Sequence, residues 1–146
     1  MLRSRQRGTA IAAHRAAVAA DSPVETHRVA MQVSTNDATV FELALNNAVN
    51  FSREYSEVAQ EVEVEIVACG PGLHMLRADT SPARARIQSV MQSVPGVAFT
   101  ACGDTLAAME RDGGRGIELL PGVRVVRAGA VRLVALQEAG WRYLRA

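Results

Sequence analysis

The sequence predicts an α/β fold in which a mainly parallel five-stranded sheet carries helices on both faces. Strand-like and helix-like segments alternate over residues 27–146, the connections between them are short, and the first strand-like segment is mostly apolar. Strands of a parallel sheet are buried on both faces by their crossover helices, and this gives apolar runs of that kind. A chain of 146 residues is long enough for one such domain with a substantial core.

The five predicted strands each end at a turn or a capping signal. Residues 61–69 begin as alternating Glu and Val and finish as a solid apolar run, which predicts a strand that starts in solvent and ends in the core. The strands are expected at residues 27–34, 61–69, 97–102, 123–127 and 141–144.

The first predicted helix covers about residues 38–58. Its N-terminal cap is either Thr39 in a capping box with Glu42, or Asn36 or Asp37. Apolar side chains recur on one face at helical spacing, and those expected to be buried are Phe41, Ala44, Leu45, Ala48 and Tyr55.

Three further helices follow the later strands. Ser81 is predicted to cap the second, with Pro82 at its first helical position. The third is expected over about residues 105–111, and the fourth follows the turn at residues 128–129 and ends at Gly140 in a left-handed cap. Their apolar positions include Ile87, Val90, Met91, Val94, Val131, Val134 and Leu136.

The N-terminal segment, residues 1–26, differs in composition from the domain at residues 27–146. Residues 1–20 carry four arginines and no acidic side chain, so they hold +4 and the remainder holds −3. We expect a basic extension that is disordered or loosely helical, with a role in targeting as the alternative. Small residues precede Asp21 as at a cleavage site, but His14 and Arg15 interrupt the apolar stretch of a secretory signal. A cytoplasmic location is expected, with export as the alternative if residues 1–20 are cleaved.

Composition argues against several classes of function. The folded part is mildly acidic and therefore a poor nucleic-acid binder, and no apolar run reaches the length of a membrane span. All 16 basic residues are arginine, so the chain has neither a P-loop lysine nor a Schiff-base lysine. Two cysteines and three histidines lack zinc-binding spacing, and we expect no metal and no cofactor.

Cys102 is the main candidate for chemistry. It ends an apolar strand-like run just before a predicted helix, where open parallel sheets form their ligand crevices. The positive end of a helix dipole favours a thiolate and hence nucleophilic or sulfur-carrying chemistry. The alternative is a small, buried and inert side chain. Gly103 and Asp104 belong to the same predicted crevice; Asp104 would oppose the thiolate if it pointed inward, and capping together with Thr105 is its expected role.

Other candidates surround the end of the second predicted strand. Cys69 is a second thiol that could open onto the same crevice and pair with Cys102 if their Cα atoms lie within about 7 Å; core packing is its alternative. The backbone amides of Gly70 and Gly72 could approach an anion. His74 could donate a proton or contact that anion, or it could simply be exposed.

Six segments, in order along residues 27–146, carry a family resemblance: HRVAMQVSTND (27–37), LALNNAVN (43–50), VEIVACGPGLHML (64–76), VAFTACGDT (97–105), LLPGVRVVRAGAV (119–131) and GWRYLR (140–145). They resemble the DsrE/DsrF-like sulfur-relay family. The resemblance implies a flavodoxin-like three-layer fold and assembly as a homotrimer or hexamer. It also implies a cysteine after the third strand that carries sulfur as a persulfide, a place that Cys102 occupies.

Two hypotheses of different class follow. In the first, the protein is at most a sulfurtransferase-like carrier that exchanges sulfane sulfur between a donor and an acceptor protein through Cys102. In the second, it is a non-catalytic oligomeric binding or assembly module. Its cysteines are then structural, and its crevice holds a small anion or a protein partner.

Overall fold

The computed structural model describes residues 23–146. Residues 1–22, most of the predicted basic extension, lie outside the described residues. The strands are β1 (Thr26–Val33), β2 (Glu61–Ala68), β3 (Val97–Cys102), β4 (Arg124–Val126) and β5 (Arg142–Arg145). The helices are α1 (Ala38–Ser56), a 3₁₀ helix (Gly70–Leu76), α2 (Arg84–Ser93), α3 (Gly103–Gly113) and α4 (Gly129–Glu138). Of the helices in this part of the chain, none combines the length and the apolar character needed to cross a membrane.

All five strands form one parallel sheet in the order β4-β3-β2-β1-β5. From β1 to β4, each new strand pairs with the previous one and extends the sheet in the same direction. The chain then returns from β4 and places β5 beside β1. Because parallel crossovers are right-handed, α1, α2 and α3 lie on one face of the sheet and α4 lies on the other. The predicted three-layer, flavodoxin-like α/β architecture is therefore confirmed.

Two apolar clusters separate the sheet from its helices. The larger contains side chains from α1, α2 and the sheet, among them Phe41, Ile66 and Phe99. The smaller lies under α4; its buried members are Ala30, Val67, Leu133 and Leu136, and Cys69 and Trp141 pack against it. Consecutive strand residues point to opposite faces, as Ile66 and Val67 do. Among the helices of the described residues, α4 alone covers the second face.

Helix α1 follows its predicted pattern closely. Four of the side chains expected on its inner face are buried, and Tyr55 is only partly buried: the four are Phe41, Ala44, Leu45 and Ala48. Of the caps left open by the sequence, the structure selects Asp37, whose Oδ1 accepts a hydrogen bond from the Thr39 N–H at 2.8 Å. That bond satisfies one of the unpaired amides at the start of the helix.

Helix α2 begins later than predicted. Its first residue is Arg84 and its N-cap is Ala83, so Ser81 does not cap it. The Ser81 hydroxyl accepts a hydrogen bond from the Ala83 N–H at 3.2 Å and stabilises the turn that precedes the helix. Serine competes for nearby backbone amides in this way wherever a turn brings one within reach.

Of the three apolar positions predicted for helix α4, Leu136 faces inward, whereas Val131 and Val134 do not. Leu133 and Leu136 are buried, whereas Val131 and Val134 are 68% and 53% exposed. The outer face of α4 is therefore apolar and open.

Glu65 is a buried carboxylate on the face of the sheet that α4 covers. It is 1% exposed, although the alternation of residues 61–65 predicts a solvated side chain. The two oxygens accept hydrogen bonds from Arg132 at 2.8 and 2.7 Å and from Arg124 at 3.3 Å. Burial acts to raise the pKa of Glu65, but Arg132, Arg124 and Thr100 outweigh it and lower that pKa. This charged pair ties α4 to β2.

Replacing Arg132 by methionine should lower the free energy of unfolding, because it leaves the Glu65 carboxylate buried beside a single arginine. Breaking a fully buried ion pair costs about 3–5 kcal/mol, and we expect no more than about 3 kcal/mol here because Arg132 is 36% exposed and Arg124 remains. Urea denaturation measures the loss. As a control, Arg28→Met breaks an exposed pair with Glu63 (3.1 Å) and should cost less than about 1 kcal/mol.

The same pair of variants gives a pH test. Because the folded protein lowers the pKa of Glu65, its ionisation stabilises the wild type fully above the pKa of the unfolded chain, about 4.3. That contribution is lost as the pH falls through the lower pKa of the folded state. The difference between wild type and Arg132→Met should therefore shrink below about pH 4. A difference that stays constant with pH would contradict this assignment.

Candidate functional site

The carboxyl ends of β3 and β4 form the topological switch point of the sheet. These strands are neighbours, yet the chain leaves β3 into α3 on one face and leaves β4 into α4 on the opposite face. Divergent connections leave a crevice at such a point, and ligands of open α/β folds bind there. Cys102 ends β3, and Gly129 begins α4 just beyond β4. The main sequence candidate therefore lies at the switch point.

The Cys102 sulfur lies where the N-termini of two helices meet. Cys102 is itself the N-cap residue of α3. From the other face, the N–H of Gly129 at the start of α4 donates a hydrogen bond to Cys102 Sγ at 3.3 Å. Each helix N-terminus carries a partial positive charge of about half an elementary charge. A negative charge on this sulfur is thus stabilised from both sides of the sheet.

Thr105 links this sulfur to the loop after β2. Its Oγ1 accepts a hydrogen bond from the Gly70 N–H at 3.0 Å, which leaves the hydroxyl hydrogen to donate to Cys102. Burial acts to raise the pKa of Cys102. The Thr105 hydroxyl and the N–H groups of Gly129, Thr105 and Asp104 outweigh that effect and lower the pKa. Hydrogen bonds to a thiolate are the ordinary means by which proteins activate a cysteine.

Cys69 lies beside Cys102 with the opposite electrostatic character. It follows the last residue of β2 and is only partly buried, whereas Cys102 is 7% exposed. Burial, together with the charge and the hydrogen bond of Cys102, raises the pKa of Cys69 to about 11. Both thiols are free. The site therefore pairs a thiol that ionises readily with one that keeps its proton.

Two glycines make room for this arrangement. A Cβ on Gly129 would lie 2.2 Å from Cys69 Sγ and 3.2 Å from the Cβ of Cys102, so a larger residue would displace the thiols. A Cβ on Gly103 would lie 2.7 Å from the carbonyl oxygen of Val126, which is why α3 can start so close to β4. Glycine permits such approaches of backbone to neighbouring groups.

The predicted anion contacts after β2 take part in bonds within the chain. The Gly70 N–H donates to Thr105, and the Gly72 N–H donates to the Cys69 carbonyl oxygen at 3.0 Å. Gly72 is buried, and a Cβ there would lie 2.3 Å from the carbonyl oxygen of Val33. Gly70 therefore acts on Cys102 through Thr105, and Gly72 sets the path of the 3₁₀ helix.

The His74 ring and the Asp104 carboxylate take no part in the hydrogen bonds that lower the pKa of Cys102. The Nδ1 of His74 lies 2.9 Å from the Thr80 hydroxyl. Asp104 is exposed in the first turn of α3, where its charge favours the helix dipole, and its N–H donates to the Arg127 carbonyl oxygen at 2.9 Å. Cys102 holds the cap position expected for Asp104 and Thr105. Within residues 23–146, no three His, Cys, Asp or Glu side chains form a group that could hold a metal ion.

Gly129, Thr105 and Glu65 are the important residues that the sequence reasoning missed. The sequence indicates only a turn at Gly129, although a glycine that opens a helix soon after a strand is a signal of close backbone approach. For Thr105 the sequence indicates only a cap. Glu65 lies in an alternating run, and nothing in that run distinguishes it from the exposed Glu61 and Glu63.

Comparison with solved structures places this chain in a family. Neither a protein-family profile nor a curated protein sequence matches the chain. A solved structure that does match is described as "Structure of Protein of Unknown Function MTH1491 from Methanobacterium thermoautotrophicum". It is 32% identical, the match covers 82% of this chain and 99% of that one, and the TM-score is 0.70. At this identity and coverage the two share more than an architecture, and the chain belongs to the same protein family as MTH1491.

Proposed function

We propose that this protein is a cytoplasmic, DsrE-like carrier of sulfane sulfur, which it holds as a persulfide on Cys102. The observation that supports this most strongly is the convergence of the α3 and α4 N-termini on that sulfur, where Gly129 donates at 3.3 Å. The similarity of residues 27–146 to DsrE/DsrF-like proteins supports the same assignment. Two free cysteines suit a reducing compartment.

The transfer needs only thiol exchange. The Cys102 thiolate attacks the outer sulfur of a donor persulfide, the sulfur–sulfur bond of the donor breaks, and the donor leaves as a thiolate. The terminal sulfur then resides on Cys102. An acceptor thiolate attacks that sulfur in turn and regenerates the Cys102 thiolate. Because the sulfane sulfur keeps its oxidation state throughout, the exchange uses no redox cofactor.

The burial of Cys102, which is 7% exposed, is the observation that favours the alternative function. A sulfur that donors cannot reach would serve only in packing. The protein would then be a binding or assembly module whose crevice at the switch point holds a small anion or a segment of a partner protein.

Uptake of sulfur distinguishes the two functions. Treating the reduced protein with inorganic polysulfide should increase the intact mass by that of one sulfur atom, and the modified peptide should contain Cys102. Cys102→Ser should abolish uptake, while Cys69→Ser should retain it. Mass spectrometry of intact protein and of peptides makes the measurement. Absence of uptake in Cys69→Ser as well as in the wild type would leave only the binding module.

Titration of the thiols tests the electrostatics of the site. Thiolate absorbance should rise in two steps, the first from Cys102 at a pH below the usual pKa of a free cysteine and the second near pH 11 from Cys69. Thr105→Val keeps the size of the side chain but removes the hydroxyl, so the first step should move up by about one pH unit. Cys102→Ser should remove the first step; its persistence in that variant would contradict the assignment of the reactive thiol.

Homo-oligomeric assembly, as a trimer or a hexamer, is part of the proposal. The exposed valines of α4, Val131 and Val134, support it, because an open apolar helix face is typical of a surface that a subunit covers. Val131→Asp should shift the protein toward the monomer in sedimentation velocity. Gln137→Asp, at an exposed polar position of the same helix, is the control and should leave the sedimentation coefficient unchanged. A wild type that sediments as a monomer would refute this part.

A further inference from the structure

The two cysteines occupy equivalent places on neighbouring parallel strands. The β2–β3 ladder ends with the pair Ala68 and Ala101, and Cys69 and Cys102 are the next residues on the two strands. Both backbones remain extended there, with φ and ψ of −129° and 153° at Cys69 and −73° and 113° at Cys102. Neighbouring strands lie about 4.8 Å apart. That spacing falls within the range of about 4.4–6.8 Å between Cα atoms that a disulfide requires.

The side chains also lie on the same face of the sheet and in contact with the same glycine. A Cβ on Gly129 would meet Cys69 Sγ at 2.2 Å and Cys102 Cβ at 3.2 Å, so the two side chains adjoin a single point. Cys102 acts on Cys69 through both charge and a hydrogen bond. Both cysteines are nevertheless free in the structure. The geometry therefore holds two reduced thiols where a bond between them can form with little movement.

We propose that Cys69 is the resolving thiol of this site, which discharges the Cys102 persulfide as hydrosulfide by forming an intramolecular Cys69–Cys102 disulfide. The inference rests on the proposed function, because it concerns the fate of sulfur already bound to Cys102. It adds a second outcome to transfer: when no acceptor thiol arrives, the protein releases sulfide.

Release of sulfide uses only the two cysteines and the bound sulfur, and one external reductant then restores the thiols. The Cys69 proton passes to the terminal sulfur of the Cys102 perthiolate, and the Cys69 thiolate then attacks Cys102 Sγ. The Sγ–Sγ bond forms, the bond from Cys102 Sγ to the terminal sulfur breaks, and hydrosulfide leaves with the proton and the bonding electron pair. The sulfane sulfur is reduced to sulfide while the two cysteine sulfurs are oxidised to a disulfide. A low-molecular-weight dithiol reduces that disulfide and restores both thiols.

The surroundings of Cys69 suit this role. Burial and the neighbouring Cys102 raise its pKa to about 11, so at neutral pH it holds the proton that the departing sulfur needs. The small thiolate fraction that this implies is offset by proximity, since well-oriented intramolecular reactions reach effective concentrations of about 10⁵ M or more. Cys69 is also the more exposed of the two cysteines, which gives a reductant its point of attack on the disulfide.

The test measures what becomes of the sulfur after it has been bound to Cys102. Reduced protein is treated briefly with inorganic polysulfide, separated from the reagent by gel filtration, and incubated without a thiol. The wild type should release about one sulfide per chain, lose both free thiols and give one linked Cys69–Cys102 peptide. Cys69→Ser should take up the same amount of sulfur but release sulfide at least tenfold more slowly. Cys69→Ala serves as a second variant, and circular dichroism of both establishes that they fold.

The outcomes separate this inference from the proposed function. If Cys69→Ser takes up sulfur on Cys102 and releases sulfide as fast as the wild type, the carrier stands and the resolving role of Cys69 is refuted. A disulfide that joins two chains, seen as a doubled mass without reductant, would also refute it. If neither the wild type nor Cys69→Ser takes up sulfur, the carrier function itself fails and the resolving role fails with it.

Discussion

The hydrogen bond from the Gly129 N–H to the Cys102 sulfur connects the two faces of the sheet at the one point where its connections diverge. It exists because β3 and β4 are neighbours whose following helices leave in opposite directions. Without that strand order, the start of α4 would lie far from the end of β3. The chemistry of the site is thus a consequence of topology, which brings two positive helix ends to one polarizable atom.

Placement of α4 depends on a second electrostatic contact, one turn further along the helix. Arg132 holds the buried Glu65 with two hydrogen bonds, and the apolar contacts of Leu133 and Leu136 complete the attachment to the sheet. A buried ion pair adds little net stability, but it accepts few alternative geometries. Glu65 therefore helps to hold α4, the helix whose first amide, that of Gly129, donates to Cys102 Sγ.

The spacing of apolar residues, together with the turn and capping residues between segments, is sufficient to predict the architecture. The five strands, the inner face of α1 and the position of Cys102 at a strand–helix junction all follow from local patterns. What the patterns missed depends on three-dimensional neighbours. The burial of Glu65 follows from Arg124 and Arg132, which are 59 and 67 residues away in sequence. Gly129 matters because a strand order that no local pattern specifies places it against both thiols.

The second face of the sheet is covered by α4 alone among the helices described, and this bears on how the site opens to solvent. Four buried apolar residues hold α4 against the sheet, whereas the opposite face has a much larger cluster. Elements with fewer buried contacts open at a lower free energy, so α4 should detach from the sheet more readily than α1, which packs against the larger cluster. Opening would withdraw the Gly129 amide and uncover the Cys102 sulfur together. Since the exposed valines lie on the same helix, a subunit that covers them would suppress this opening, and self-association and thiol accessibility would be thermodynamically linked.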